Sequence, residues 1–348
     1  MKKFSKSLKD IQGIKEGYLN DNDKHLWEVQ KINNKYCQQT LRIKCKNCLS
    51  YIDSNDIDFI SHGVGYSICS NCGHLNGAHE DSEEFCSFLY VDEGGVNYPT
   101  SYLSNYNNII EKIYAPKVNF LIDSLKELDD CNIIISDFGC GAGHFVIAAN
   151  QKGIKAFGFD VSEISISEAI NFSKINSIQP TPFKLVKSEA QLLQATLTST
   201  STVLSFLGVL EHLQNPSSFI QAFCNSKAKY LFISVPMFSF SVFIESIFSN
   251  VFPRLLGGGH THLYTKRSIQ YLLDINKLNL LGSWHFGSDA MDLRRSILVE
   301  LVKNKCSPGL IKVFSDEFFS INMLDQMQEI FDRNLVCSEV HLLIEKKK

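Results

Sequence analysis

From Asn132 onward, short apolar runs alternate with segments whose apolar residues recur every three or four positions. NIIISDF is such a run, and HFVIAANQK after it has helical spacing up to Gly153, a residue suited to a helix end. KAFGFD predicts a second strand, and Ser162 an N-cap for a helix through Ile175. FKLVKS and STVLSFLGV predict strands three and four. Asn215 and Pro216 then open a helix to about Asn225, and KYLFISV is a fifth strand ended by Pro236. Thr265 caps a helix carrying Ile269, Leu272 and Leu273, and NLLGSWHFG and VCSEVHLLIEK predict strands six and seven. A mostly helical insertion over about 292–332 separates those two strands. Strands alternating with helices imply an α/β domain over 131–348, built on a largely parallel sheet covered on both faces.

Upstream the pattern changes. Residues 1–40 are polar without a clear period and predict an irregular or helical lead-in. A linker over 98–130 has helical spacing at Tyr98, Tyr102 and Tyr106, then at Val118, Leu121, Ile122 and Leu125. Between them, over 41–97, CKNC and CSNCG place Cys45, Cys48, Cys69 and Cys72 as two C-x2-C pairs with twenty residues between the pairs. Two such knuckles bring four thiolates to one tetrahedral Zn²⁺, at about 2.3 Å per bond. With every ligand a cysteine no position is open to water, so the site is expected to be structural and the lobe zinc-ribbon-like. His62 and His74 lie nearby and are expected to pack rather than ligate.

The charge balance, 34 basic against 37 acidic residues, lowers the expectation of a nucleic-acid partner. Residues 41–80 also lack the Lys/Arg cluster with which a zinc lobe would grip RNA. No apolar run of a signal peptide follows MKKFSKSLKD, and eleven cysteines without one suggest a reducing compartment, the cytoplasm. VPMFSFSVFIESIFSNVFPRLL, residues 235–256, is apolar but broken by Pro236, Glu245, Pro253 and Arg254. That excludes a spanning helix and leaves a buried cover segment, with peripheral membrane contact through 237–256 as the alternative.

The densest chemistry is in DFGCGAGHF. Its glycines, Gly139, Gly141 and Gly143, fall as G-x-G-x-G, whereas a dinucleotide fingerprint puts its third glycine where His144 stands. Asp137, at the strand's carboxyl end, would sit badly beside a pyrophosphate and well beside an ammonium group. Asp160 ends the second strand, where a carboxylate accepts hydrogen bonds from ribose hydroxyls. Ser188, Glu189 and Ala190 end the third, near the place of an adenine.

In this order DFGCGAGHF, GFDVS, FLGVLEHLQNP, FISVP and GGGHTHLYTKRSIQYLL resemble a class I S-adenosylmethionine-dependent methyltransferase, over residues from about 131 to 290. The resemblance implies a Rossmann-like, doubly wound sheet of seven strands, the last antiparallel. It also implies a cofactor cradle of Asp137 at the ammonium, the three glycines under the methionine part, Asp160 at the ribose and Glu189 at the adenine. Leu207 would complete it, and Tyr102 and Tyr106 of the preceding helix either close over the cofactor or pack in the core. A four-cysteine lobe ahead of such a domain is similar to methyltransferases of bacterial sugar and surface-polysaccharide pathways, which implies a saccharide acceptor and O-methylation.

Methyl transfer demands alignment above all, and a hydroxyl acceptor adds a general base. His212, His260 and His262 fall on loops at strand ends, with His260 favoured beside three glycines that let backbone approach a ligand. Ubiquinone-type phenol O-methyltransferases read Glu-x-x-Glu-His in the fourth-strand loop and can hold a divalent metal there. This chain has Gly208, Glu211 and His212, which lacks the first acid, although its apolar 235–256 segment would suit a lipid-like phenol. An RNA methyltransferase, or a scaffold with a dead cofactor site, are the remaining alternatives.

Overall fold

The computed structural model describes residues 1–8, 21–53, 56–90, 105–126 and 132–347. Tyr98 and Tyr102 lie outside the described residues. The sheet strands are β1 (Lys2–Phe4), β5 (Ile134–Phe138), β6 (Lys155–Asp160), β7 (Phe183–Leu185), β8 (Val203–Leu207), β9 (Tyr230–Pro236), β11 (Leu278–Phe286) and β12 (Glu339–Lys346). Their order across the sheet is β1-β11-β12-β9-β8-β5-β6-β7. The expected count of seven is therefore corrected to eight among the described residues. The extra strand is Lys2–Phe4, paired parallel to β11 over Ser283–His285. Its three residues carry no strand signal, and the pairing is set by the open edge that β11 offers. β12 runs antiparallel to both its neighbours.

Both faces of the sheet are covered, as a nearly continuous apolar strand such as β9 requires. Phe232 joins a core with Val118, Leu121, Phe145 and Trp284, while its neighbours Leu231 and Ile233 join Leu192, Phe219, Phe223 and Leu272 on the other face. The helices begin where their capping residues stand. Ser162 accepts from the Ser165 amide and Asn215 from that of Ser218, and Thr265 forms a reciprocal capping box with Ser268.

β5 pairs with β6 on one side and with β8 on the other. The winding reverses there, and such sheets open a crevice at the strands' carboxyl ends at that point.

The small lobe is an antiparallel sheet of β2 (Phe59–Ser61), β3 (Val64–Ile68), β4 (Leu75–Gly77) and β10 (His262–Leu263). Its last strand comes from the loop after β9, so the lobe is completed by the larger domain. Two helices flank it, α1 (Asn22–Tyr36) and α2 (Glu83–Tyr90). The apolar segment behaves as cover. α3 (Phe240–Ile247) buries Val242 and Ile244, and the following loop is folded back by buried Glu245, which accepts from the amides of Arg254, Leu255 and Leu256. Phe243 and Ile247 point outward. No helix of the described residues is long and apolar enough to cross a membrane.

Candidate functional site

All three loop glycines are left-handed, with φ of 72° at Gly139, 52° at Gly141 and 80° at Gly143. A Cβ would lie 2.6 Å from Val209 Cγ2 at Gly139 and 2.4 Å from Phe183 Cζ at Gly143, so neither position admits a side chain. Asp160 clamps this loop. Its Oδ2 accepts from the Gly141 amide at 2.7 Å and its Oδ1 from that of Ser162 at 2.8 Å.

A cavity of about 1050 Å³ opens over the loop, lined among others by Gly139, Gly141, Asp160, Ser188, Glu189 and Gly208. Glu189 also accepts from the backbone amides of Gln214 and Asn215, at 3.2 and 3.4 Å, and so braces the loop after β8.

Four expected cofactor residues do not line the cavity. Leu207 ends β8 and packs into the core; Gly208 and Val209 after it face the cavity instead. Gly143 starts the helix His144–Gln151 and serves its close packing on Phe183. Tyr106, expected over the cofactor, is buried with its ring stacked on His144, and its hydroxyl donates to the Ala142 carbonyl at 2.9 Å. It holds the glycine loop from behind. Tyr106→Phe should therefore cost about 0.5–1.5 kcal/mol through the lost hydrogen bond, seen as a lower melting temperature, with cofactor affinity changed less. Asp137 lies beneath the loop, accepting from the Ser205 hydroxyl at 2.6 Å. Burial pushes its carboxyl up to about 7, against the Ser205 bond and reinforced by Asp160.

The far half of the cavity is roofed by α1 and α2, with His25, Glu28, Val29 and Ile32 from the first and Cys86 and Tyr90 from the second. This roof is absent from the sequence reading, although Val29, Ile32 and Tyr36 stand at helical spacing. His212 and His260 line the wall below, their rings stacked 5.2 Å apart. The Tyr90 hydroxyl meets His212 Nδ1 at 2.7 Å. Burial lowers His212 to about 3 and His260 to about 4, helped by each ring's charged or ionisable neighbour, so both rings are neutral.

His262 is corrected out of the site. The chain turns at His260, whose amide donates to Gly257 O, and His262 then enters β10. There it is fully buried, with Nδ1 2.8 Å from His74 Nε2. The neighbouring glycines serve α1 more than a ligand. A Cβ on Gly258 would lie 2.6 Å from Ile32 Cγ2, and its amide donates to Asn33 Oδ1.

The four cysteines do converge. Sγ atoms of Cys45 and Cys72, and of Cys48 and Cys69, are each 3.6 Å apart, near the ~3.8 Å edge of a tetrahedron with Zn–S bonds of about 2.3 Å. Between the first pair, buried Lys46 pairs with Asp81 and donates to the carbonyls of Leu213, at 3.3 Å, and Gln214, at 2.7 Å. Burial would raise Asp81, but Lys46 and Arg42 hold it below the usual carboxylate range. The knuckle is thereby tied to the residues that directly follow His212.

A family model described as a methyltransferase domain matches residues 106–281, half of the chain. The chain belongs to this methyltransferase family, and its class is that of S-adenosylmethionine-dependent enzymes with the class I α/β fold. No curated protein matches the sequence. Similar solved structures include magnesium protoporphyrin IX methyltransferase from Synechocystis PCC 6803 with bound S-adenosylhomocysteine, at 14% identity and TM-score 0.45, over 70% of this chain and 88% of that one. Another is geranyl diphosphate C-methyltransferase from Streptomyces coelicolor A3(2), at 11% identity and TM-score 0.42, over 75% and 88%. A third is an S-adenosylmethionine-dependent methyltransferase from Archaeoglobus fulgidus, at 18% identity and TM-score 0.39, over 70% and 100%.

Proposed function

We propose that the protein methylates a hydroxyl of a small polar molecule, a sugar or nucleotide-sugar of a surface-glycan pathway. The observation that carries this reading is one cavity running from the glycine loop and Asp160 to the His212–His260 wall and the α1–α2 roof. Its polar lining by His25, Glu28, Tyr90, Gln214 and Arg254 supports a hydrogen-bonding acceptor.

The residues fit S-adenosylmethionine. At Gly139 and Gly143 the loop has no room for a side chain, Asp160 lines the cavity where a ribose would lie, and buried Asp137 has the Ser205 hydroxyl and the charge of Lys117 against its own. Bound there, the cofactor supplies an electrophilic methyl group. The chain's part is alignment: Asp160 fixes the donor side, α1 and α2 close over the acceptor and exclude water, and the hydroxyl's proton leaves on the side of His212 and His260. Zn²⁺ in the four-cysteine cluster supports this wall from outside and takes no part in the chemistry.

A labelled methyl donor offered with a panel of nucleotide-sugars and of catechol-type phenols tests the acceptor class. Label in a nucleotide-sugar supports the reading. Label only in a phenol would replace it with the second one, which the apolar positions Val29, Ile32, Leu89 and Leu256 in the same lining favour.

Asp137 adds a pH signature. A carboxyl held up at about 7 is protonated in the free protein at lower pH, whereas an ammonium that reached it from the cavity past the glycine loop would need it ionised. S-adenosylhomocysteine affinity should therefore fall as pH drops below about 7, by up to about tenfold per unit, and Asp137→Asn should flatten the profile. The linkage runs oppositely for the empty protein. A raised acid stabilises the fold below its unfolded value, and that contribution is lost as pH climbs from about 4 to about 7. A pH-independent calorimetric affinity would show that Asp137 does not meet the ammonium.

A further inference from the structure

We propose that Glu211, His212 and His260 form a second metal site, open to the cavity, that takes a divalent first-row transition ion and through it chelates an acceptor with adjacent oxygens. The inference rests on the methyltransferase reading for the acceptor's part and on local geometry alone for the metal.

One ligand atom from each of the three residues lies within 4.8 Å of the others, and His212 Nε2 stands 3.8 Å from Glu211 Oε1. Bonds of about 2.0–2.2 Å bring donors to roughly 3 Å apart, so a small rotation of each side chain closes the set. Glu211 carries the second observation. It is 4% exposed and its Oε2 has no hydrogen-bond partner. A buried carboxylate left so is costly, and a dication is the natural complement.

The way in is Gly208, which lines the cavity. A Cβ built there meets Glu211 Oε1 first, at 3.7 Å. The acid missing at position 208 thus leaves an opening, and His260, forty-eight positions beyond His212, supplies the third donor in its place.

The outer partners also fit. His212 keeps Nδ1 on the Tyr90 hydroxyl, and the His260 ring is hydrogen-bonded to the carbonyls of Leu255 and Arg254. For His212 one nitrogen is thus anchored while the other, Nε2, stands by Glu211, the usual state of a ligating histidine. Two imidazoles and one carboxylate favour Mn²⁺, Fe²⁺, Co²⁺ or Zn²⁺ over the all-oxygen shells of Mg²⁺ and Ca²⁺. Three ligands leave coordination positions on the cavity side. A vicinal diol or a hydroxy acid would fill two of them, and a hydroxyl so held gives its proton to water far more readily than a free one.

The test uses the full chain as purified, with its metal content counted first. Mn²⁺ is then titrated by electron paramagnetic resonance, alongside S-adenosylhomocysteine calorimetry and a thermal melt. The expected result is saturable uptake of one Mn²⁺ per chain, weakened at least about tenfold in Glu211→Gln and in His260→Ala. Absence of saturable uptake by the wild type overturns the proposal, as does uptake that neither variant alters. A variant with a collapsed melt is set aside, because the wild-type count decides alone. Failure of S-adenosylhomocysteine to bind would instead strike the methyltransferase reading and leave the manganese count standing.

Discussion

Asp160→Ala is expected to weaken S-adenosylhomocysteine binding by about 100-fold or more, since two charge-assisted hydrogen bonds are each worth roughly 1.5–3 kcal/mol and 1.4 kcal/mol is tenfold. The carboxylate acts twice over. It stands at the end of β6, lining the cavity where a ribose would lie. It also holds the Gly141 amide at 2.7 Å, with Gly141 at φ 52°, and so helps to fix the turn. Removing the carboxylate therefore deletes a ligand contact and frees the turn that presents the others. Asp160→Asn retains one acceptor oxygen and should fall between wild type and Ala. Calorimetry on the three proteins decides the matter, and an Ala variant within about fivefold of wild type would show that Asp160 is only a structural brace.

Loss of zinc should have the other large effect, and it should reach beyond the lobe. Structural zinc contributes about 10–16 kcal/mol of folding free energy in small four-ligand modules, and of the lobe's two apolar clusters the one at the knuckles, Cys45, Ile52, Cys69 and Cys72, is too small to replace it. In Cys69→Ala the lobe is expected to unfold around the vacant position. Lys46 then loses its setting and releases the carbonyls of Leu213 and Gln214, just after His212. β10 loses β4 as its partner, which frees the chain that carries His260. Hydrogen exchange should accordingly rise over 41–80, 210–215 and 257–264, while β5, β6 and β8 stay protected and S-adenosylhomocysteine still binds. Exchange confined to 41–80 would refute the coupling. Lys46→Met isolates the link with the cysteines intact; breaking its buried pair with Asp81 should cost about 3–5 kcal/mol. Elemental analysis should find zinc lost in Cys69→Ala and retained in Lys46→Met.

How far the sequence could be read depended on the range of the interactions involved. Lys155–Asp160 is the strand expected to the residue, and the helices after Ser162, Asn215 and Thr265 begin where predicted. Caps, turn glycines and apolar periods act over four or five neighbours, so their signal is local. FKLVKS came out shorter, as Phe183–Leu185, because as an edge strand it pairs only with β6. For residues 1–40 the helical alternative is met by α1, whereas Lys2–Phe4 departs from the reading. Lys2–Phe4 became a strand through an edge nearly three hundred positions away, and α1 became the roof of the cavity through packing on the glycines before His260.

The glycine loop with Asp160 and the convergence of the four cysteines were thus legible in the sequence alone. The glycine loop and each C-x2-C pair are built within one turn or one knuckle, and Asp160 and the second pair meet them from about twenty positions on. Only the tertiary structure decided what stands across the cavity from the glycine loop. It separated His260 from His262, put Tyr106 behind the loop instead of over it, and set Lys46 under the His212 loop. It also brought Glu211 and His212 to His260 across one cavity wall. Those relations join residues from tens to more than one hundred and fifty positions apart, and only the packing of α1, α2 and β10 against the sheet brings them together.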